Sequence, residues 1–289
     1  MGLADALGQG HSTDAADLAA ALPRLEQIAR EAGALILAVY ASDFAVRGKA
    51  DASPVTEADE QAERCIVQAL QRLAPHIPIV AEEAASRGEA PATGDRFWLV
   101  DPLDGTREFV SRNGEFTVNI ALIEHGAPVL GVVLEPVADR LYAGIVGQGA
   151  WLEDAGGRRR IVCRQPPPEG PVLACSRSHG DEAALTAWLA GRPVSRRIAM
   201  GSSLKFGLLA AGQADLYPRL GRTMEWDTAA GHAVLRAAGG EVHTLGGAPL
   251  RYGKPGFENP HFVACGLACM PEARGRKNPR PAAGRRLLK

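Results

Sequence analysis

The chain has 289 residues, 46% of them apolar and 22% charged, with a formal net charge of −1. That length suits one large domain or two lobes, with a core that needs no disulfide or metal staple. A near-neutral balance carries no general bias toward polyanions, so specific nucleic-acid binding is not expected and any chemistry on anions must come from a local site.

In chain order, the spacing predicts a helix over 23–40. Leu25, Ile28, Ala29, Ala32, Leu35, Ile36 and Val39 recur three or four apart, and Pro23 suits a first helical turn. A loop holding KADASPVT follows. Thr56 then caps a second helix over 57–73, whose buried stripe is Ala62, Cys65, Ile66, Ala69, Leu70 and Leu73. Short apolar runs at 77–81 and 97–100 read as strands, the first ending at Glu82-Glu83 and the second at Asp101. Runs at 116–124 and 129–136 read as a strand pair turning at 125–128, with a further strand at 141–146 and a turn at 147–150.

Pro166-Pro167-Pro168 mark a seam. Beyond it strands at 172–176, 197–200 and 214–217 alternate with helices at 181–190, 203–211 and 228–238, the pattern of an α/β lobe. The expected organisation is therefore an N-terminal α+β lobe (1–165) with the main metal site, a C-terminal α/β lobe (166–270), and a basic tail (271–289). The tail, PEARGRKNPRPAAGRRLLK, has little to bury, so disorder is expected; a weak contact with anionic lipid or nucleic acid is the sharper alternative.

The five cysteines are odd in number and scattered, which argues against a disulfide framework. Cys265 and Cys269 form CxxxC, but no second Cys/His pair stands at zinc-finger spacing. They read as small buried apolar residues in a reducing, cytoplasmic compartment. The N-terminus lacks the basic segment and apolar core of a signal peptide. No apolar stretch approaches the ~20 residues of a membrane span.

The chemistry concentrates in Trp98-Leu-Val-Asp-Pro-Leu-Asp-Gly-Thr106. An apolar strand delivers Asp101, and Asp104 follows three residues later. Two carboxylates held this close repel unless a cation lies between them. Oxygen ligands without nearby His or Cys suit Mg²⁺ better than zinc. Gly105 and Thr106 open a helix whose N–H groups would face an anion. Against this, DG alone is a hairpin signal, the Glu82-Glu83 pair alone is a solvated turn, and Asp227 in WDT alone is an N-cap. Asp51 and Asp59 read in isolation as a polar loop and a helix-start acid. It is the order of these signals that carries weight.

In that order the motifs resemble the lithium-sensitive, magnesium-dependent phosphatase superfamily that includes the inositol monophosphatases. The stretches KADASPVTEAD, WLVDPLDGTREFVSRNGEFTVNIALIEHG, SRSH, GSSLKFGLLAAGQADLYPR and WDTAAGHAV are closest to its bacterial 3'(2'),5'-bisphosphate nucleotidase branch, over residues 23–265. The resemblance implies a layered αβαβα sandwich and a site holding two or three Mg²⁺. Glu82 would bind one ion, Asp101 bridge two, the Leu103 carbonyl ligate the first, and Asp104 and Asp227 the second. Gly105 and Thr106 amides would hold the scissile phosphate, with Asp51 and Thr106 activating the water. Asp51 stands four residues before Val55, the nucleotidase spacing. Arg177, His179, Lys205 and Arg219, otherwise ordinary surface charges, become candidates for the substrate's second phosphate.

The implied activity is hydrolysis of adenosine 3',5'-bisphosphate (PAP) to AMP and phosphate, linked to sulfate assimilation. An inositol monophosphatase or sugar bisphosphatase with the same site is the near alternative, and a non-catalytic binding module the remote one. A homodimer follows from the superfamily. The basic tail adds the expectation of a peripheral contact with the cytoplasmic face of the inner membrane.

Overall fold

The computed structural model describes residues 14–48, 54–177 and 181–267. The first helix, α1 (Ala15–Tyr40), starts ahead of the expected Pro23, which lies inside it. A proline there removes the hydrogen bond to the carbonyl four residues back. That carbonyl belongs to Ala19, which is exposed to solvent. Leu18, Ala21 and Leu22 extend the buried stripe upstream. The loop that follows contains a two-residue ladder, β1 (Arg47–Gly48) against β2 (Pro54–Val55). Helix α2 (Glu57–Leu73) begins where expected, with Thr56 and Asp59 forming a reciprocal capping box.

A seven-stranded sheet comes next: β3 (Ile79–Ala81), β4 (Arg96–Asp104), β5 (Thr117–Glu124), β6 (Ala127–Glu135), β7 (Arg140–Ile145), β8 (Gly149–Asp154) and β9 (Gly157–Ile161), in that spatial order. β3 and β4 are parallel, and every later pair is antiparallel. Two short helices interrupt it, α3 (Glu82–Ser86) after β3 and α4 (Thr106–Val110) after β4. The turn expected at 125–128 is tighter: His125 and Gly126 alone make it, both at positive φ, as a two-residue hairpin of the primed type requires. β8 and β9 were not expected from the sequence. Arg158, Arg159 and Arg160 on β9 are exposed and mark a charged sheet edge rather than an alternating strand.

The second sheet contains β10 (Val172–Ser176), β11 (Arg196–Met200), β12 (Leu216–Arg219), β13 (Glu241–Thr244) and β14 (Phe262–Cys265), in the order β11-β10-β12-β14-β13. β10 runs parallel to both neighbours, so Ser176, Met200 and Arg219 end their strands on the same side. Helix α5 (Glu182–Leu189) covers the outer face through Leu185 and Leu189. Helices α6 (Leu204–Ala210) and α7 (Trp226–Ala237) lie between the two sheets.

The layers are thus α1/α2, large sheet, α6/α7, small sheet, α5, the sandwich the resemblance implies. Helix α7 sits close on β6 and β7 because both present glycine. A Cβ on Gly131 would stand 2.5 Å from the Ala230 carbonyl, and one on Gly144 2.7 Å from the Val234 Cα. Cys163 and Cys265 are buried, and Cys65 and Cys175 partly so. Cys269, the N-terminal 1–13 and the 271–289 tail lie outside the described residues.

Candidate active site

Strand β4 is buried from Phe97 to Leu103 and carries Asp101 into the interior at 1% exposure. The ladder with β5 slips between Asp101 and Asp104, pairing Asp101 with Asn119 and Asp104 with Thr117. The extra residue makes a bulge at Pro102-Leu103, which re-aims the side chain that follows. Asp101 turns inward, accepts the Leu103 N–H at 3.0 Å and is hydrogen-bonded to Glu82. Asp104 turns to a cleft, where it accepts Ser203 N–H at 2.6 Å and the Asn119 amide at 3.3 Å.

Gly105 sits at φ +97°, where a Cβ would meet the Glu115 carbonyl at 3.3 Å. Only glycine takes that conformation without strain, and it starts α4 with Thr106 at the cleft. The Thr106 hydroxyl donates to Asp59 Oδ1 at 3.3 Å, with the Leu103 carbonyl at 3.4 Å. Asp59 Oδ2 is held by the Thr56 N–H at 2.8 Å and the Thr56 hydroxyl at 2.7 Å. The carboxylate that meets Thr106 is therefore Asp59, read from the sequence only as a helix-start acid. Asp51, expected in that place, lies outside the described residues. The missed signal is the capping box itself: it occupies one carboxylate oxygen and turns the other to Thr106.

Glu82 opens α3 at the end of β3. Asp227, in the first turn of α7, accepts the Met224 N–H at 2.9 Å and also faces the acidic group. Burial first, then the charges of Glu82, Asp104 and Asp227, push Asp101 well above the usual carboxylate range. Burial and the charges of Asp104 and Glu82 do the same to Asp227. Asp104 is also raised by burial, against the opposing pull of Lys205, Ser203 and Asn119.

Among the described residues no three Asp, Glu, His or Cys side chains are drawn up as a closed metal cage. What the carboxylates share is a charge conflict. An all-oxygen donor set in this state fits a hard divalent cation, which would remove the repulsion.

The same cleft is lined by basic residues. Lys205 on α6 is 4% exposed, donates to the Met200 and Ser202 carbonyls, and stands over the Tyr217 ring. Burial lowers its pKa to about 8, with Asp104 pulling the other way. Arg219, at the end of β12, donates to Ser176 Oγ at 2.6 Å and the Arg222 carbonyl at 2.9 Å. Arg177 also lines the cleft, but its guanidinium is committed to Glu115 through two bonds of 2.7 and 2.6 Å. Burial would raise Glu115, yet Arg177 and the Gly201 N–H outweigh it and hold the carboxyl low. Arg177 thus comes to the cleft already neutralised. His179 lies outside the described residues.

The cleft has a volume of about 710 Å³ and is lined by Glu82, Asp104, Thr106 and Asp227 together with Lys205 and Arg219. Asp101 and Leu103 lie behind it. That size suits a small organic ligand.

The inositol monophosphatase family model matches residues 17–267. The 3'(2'),5'-bisphosphate nucleotidase CysQ of Escherichia coli O157:H7 is 50% identical over 244 residues, 83% of this chain and 98% of the relative. The CysQ of Buchnera aphidicola subsp. Acyrthosiphon pisum is 44% identical over 252 residues, 85% and 94% of the two chains. Among solved structures, CysQ from Bacteroides thetaiotaomicron, a bacterial member of the inositol monophosphatase family, superposes with a TM-score of 0.71 at 37% identity. The match covers 87% of this chain and 97% of that one. A match of this identity along nearly the whole length of its relatives means that the chain belongs to the inositol monophosphatase family, on its CysQ-type 3'(2'),5'-bisphosphate nucleotidase branch.

Proposed function

We propose that the protein is a magnesium-dependent phosphomonoesterase that hydrolyses PAP to AMP and inorganic phosphate, in support of sulfate assimilation. One observation carries the reading: a single cleft gathers a self-repelling carboxylate group, a hydroxyl–carboxylate pair, the buried cation Lys205 and the half-buried Arg219. Glu82, Asp101, Asp104, Asp227 and the Leu103 carbonyl would hold two or three Mg²⁺. Bound there, the metal makes water acidic and neutralises charge on a phosphoryl group.

The chain's own residues supply the rest. The Thr106 O–H points at Asp59, so the hydroxyl oxygen is turned to accept from a water in the cleft. As that water attacks phosphorus and the ester P–O bond to the nucleotide breaks, its proton passes to Thr106 and the Thr106 proton to Asp59, while a cleft water beside Asp227 gives a proton to the departing nucleotide oxygen. The Thr56 bonds fix the Asp59 orientation. Gly105, without a Cβ, lets the scissile phosphate approach the Gly105 and Thr106 amides. Lys205 and Arg219 face the second phosphate. On this reading the enzyme is cytoplasmic and homodimeric, with the 271–289 tail making a peripheral membrane contact. No helix among the described residues is long and apolar enough to cross a membrane. Deleting the tail and measuring vesicle binding tests the contact.

The test of the activity is phosphate release from PAP with Mg²⁺ and with chelator, alongside inositol 1-phosphate and fructose 1,6-bisphosphate. The expected result is a preference for PAP by orders of magnitude and no turnover in chelator. A preference for another ester overturns the substrate, while no turnover with any divalent metal overturns the phosphatase.

A further inference from the structure

We infer that Phe257 is the platform on which the base of the nucleotide stacks, held at the cleft by a clamp centred on Glu225; the inference rests on the nucleotidase reading above. The carboxylates and the basic residues account for two phosphates and leave the flat, apolar base without a partner. Among the described residues the aromatic side chains lining the cleft are Phe206, Tyr217, Trp226 and Phe257. The first three are buried, at 1%, 4% and 5% exposure, and spend their faces on the core. Phe257 is half-buried, so part of its ring remains available.

The backbone there is unusual. Phe257 sits at φ +55°, a region that bulky side chains rarely enter. It follows Gly256, which is itself at φ +74° and has open space around its Cα. A simple turn would place Gly or Asn at such a position. A strained aromatic that persists beside a functional cleft points to a role in that cleft.

The clamp keeps it there. Glu225 is fully buried, and its carboxylate accepts Gly253 N–H at 2.7 Å, Lys254 N–H at 2.9 Å and Lys254 Nζ at 2.6 Å. The Glu225 N–H donates back to the Phe257 carbonyl at 2.8 Å. Lys254 Nζ also reaches Asn259 Oδ1, and the Asn259 amide donates to the Met224 carbonyl at 2.7 Å. The ring leans on Trp226 at a centroid distance of 6.2 Å and a 43° tilt. Two residues along from Glu225 is Asp227. The loop that offers the ring and the helix turn that offers the carboxylate are therefore one rigid unit, which ties the base position to the acidic group.

The experiment compares wild type, Phe257→Ala and Phe257→Tyr with Mg²⁺ present. It measures kcat and KM for PAP, and the inhibition constants of AMP and of ribose 5-phosphate, which lacks the base. Stacking on one aromatic face predicts that Phe257→Ala weakens AMP and raises KM about tenfold, with kcat within about threefold and ribose 5-phosphate unchanged. Phe257→Tyr, which keeps the face, restores both. Equal weakening of AMP and ribose 5-phosphate, or an unchanged KM in Phe257→Ala, overturns the platform while leaving the enzyme a nucleotidase. A wild type that neither turns over PAP nor binds AMP overturns the nucleotidase reading itself, and the platform with it.

Discussion

Asp59 divides its two oxygens between a helix and a reaction. Oδ2 completes the Thr56 capping box, while Oδ1 takes the Thr106 hydroxyl at 3.3 Å. Asp59→Asn and Thr106→Ala should each lower kcat by ~10²–10⁴, the usual range for a lost general base, while metal binding persists. Steady-state rates with a metal titration check this; if Asp51→Ala carries the loss instead, the pair is misassigned. Gly105 is the other residue where local geometry decides. Gly105→Ala places a Cβ at φ +97° and 3.3 Å from the Glu115 carbonyl, which should cost about 1–2 kcal/mol in urea unfolding. Wild-type stability in that variant would show that the turn relaxes freely. Glu82, Asp101, Asp104 and Asp227 were legible in the sequence because each lies where an apolar element begins or ends. Asp59 was not, because a capping role already explained it completely.

At the scale of elements, α3 is too short to hold itself, and its first turn presents Glu82. Glu63, reaching across from α2, steadies it by accepting the Glu83 N–H at 2.7 Å and the Ala84 N–H at 3.0 Å. Burial first, and repulsion from Glu83, outweigh those bonds and raise its pKa from 4.5 to about 7. The folded protein therefore binds this proton more tightly than the unfolded chain, and stability falls as pH rises between those two values. Glu63→Gln cannot titrate. Relative to wild type it should gain stability from pH 5 to pH 7.5, by at most about 3 kcal/mol. Urea unfolding of both proteins at the two pH values measures it, and an equal difference at both would remove Glu63 as the source. Legibility at this scale follows burial pattern. Helices with a one-sided stripe and fully buried strands announced themselves. β9 did not, since its Arg158–Arg160 run reads as loop, nor did β13 and β14, each four residues long and too brief to show a period. The apolar AADLAAAL segment blurred the true start of α1.

The whole molecule brings together what no local pattern could relate. Glu82 comes from the short helix α3, Asp101 and Asp104 from the large sheet, Asp227 and Lys205 from the helices between the sheets, and Arg219 from the small sheet. Sequence order named most of these residues, but the facing of Lys205 and Asp104 exists only once α6 packs under β10 and β12. Gathering the acids has a thermodynamic consequence. Burial raises Asp101, Asp104 and Asp227, and repulsion from neighbouring carboxylates adds to it at Asp101 and Asp227, so ionising these groups opposes the metal-free fold. Binding of a divalent cation to the folded state alone should stabilise it, by about 2.7 kcal/mol at a hundredfold excess over Kd. Asp227→Asn removes one charge while its amide oxygen can still accept the Met224 N–H. In chelator this variant should melt at or above the wild-type temperature, and in Mg²⁺ its melting temperature should rise less than that of wild type. Thermal scans of both proteins across a Mg²⁺ series decide the matter. A wild type indifferent to Mg²⁺, or an Asp227→Asn less stable than wild type in chelator, would mean that the carboxylates are held by the fold and not poised for a cation.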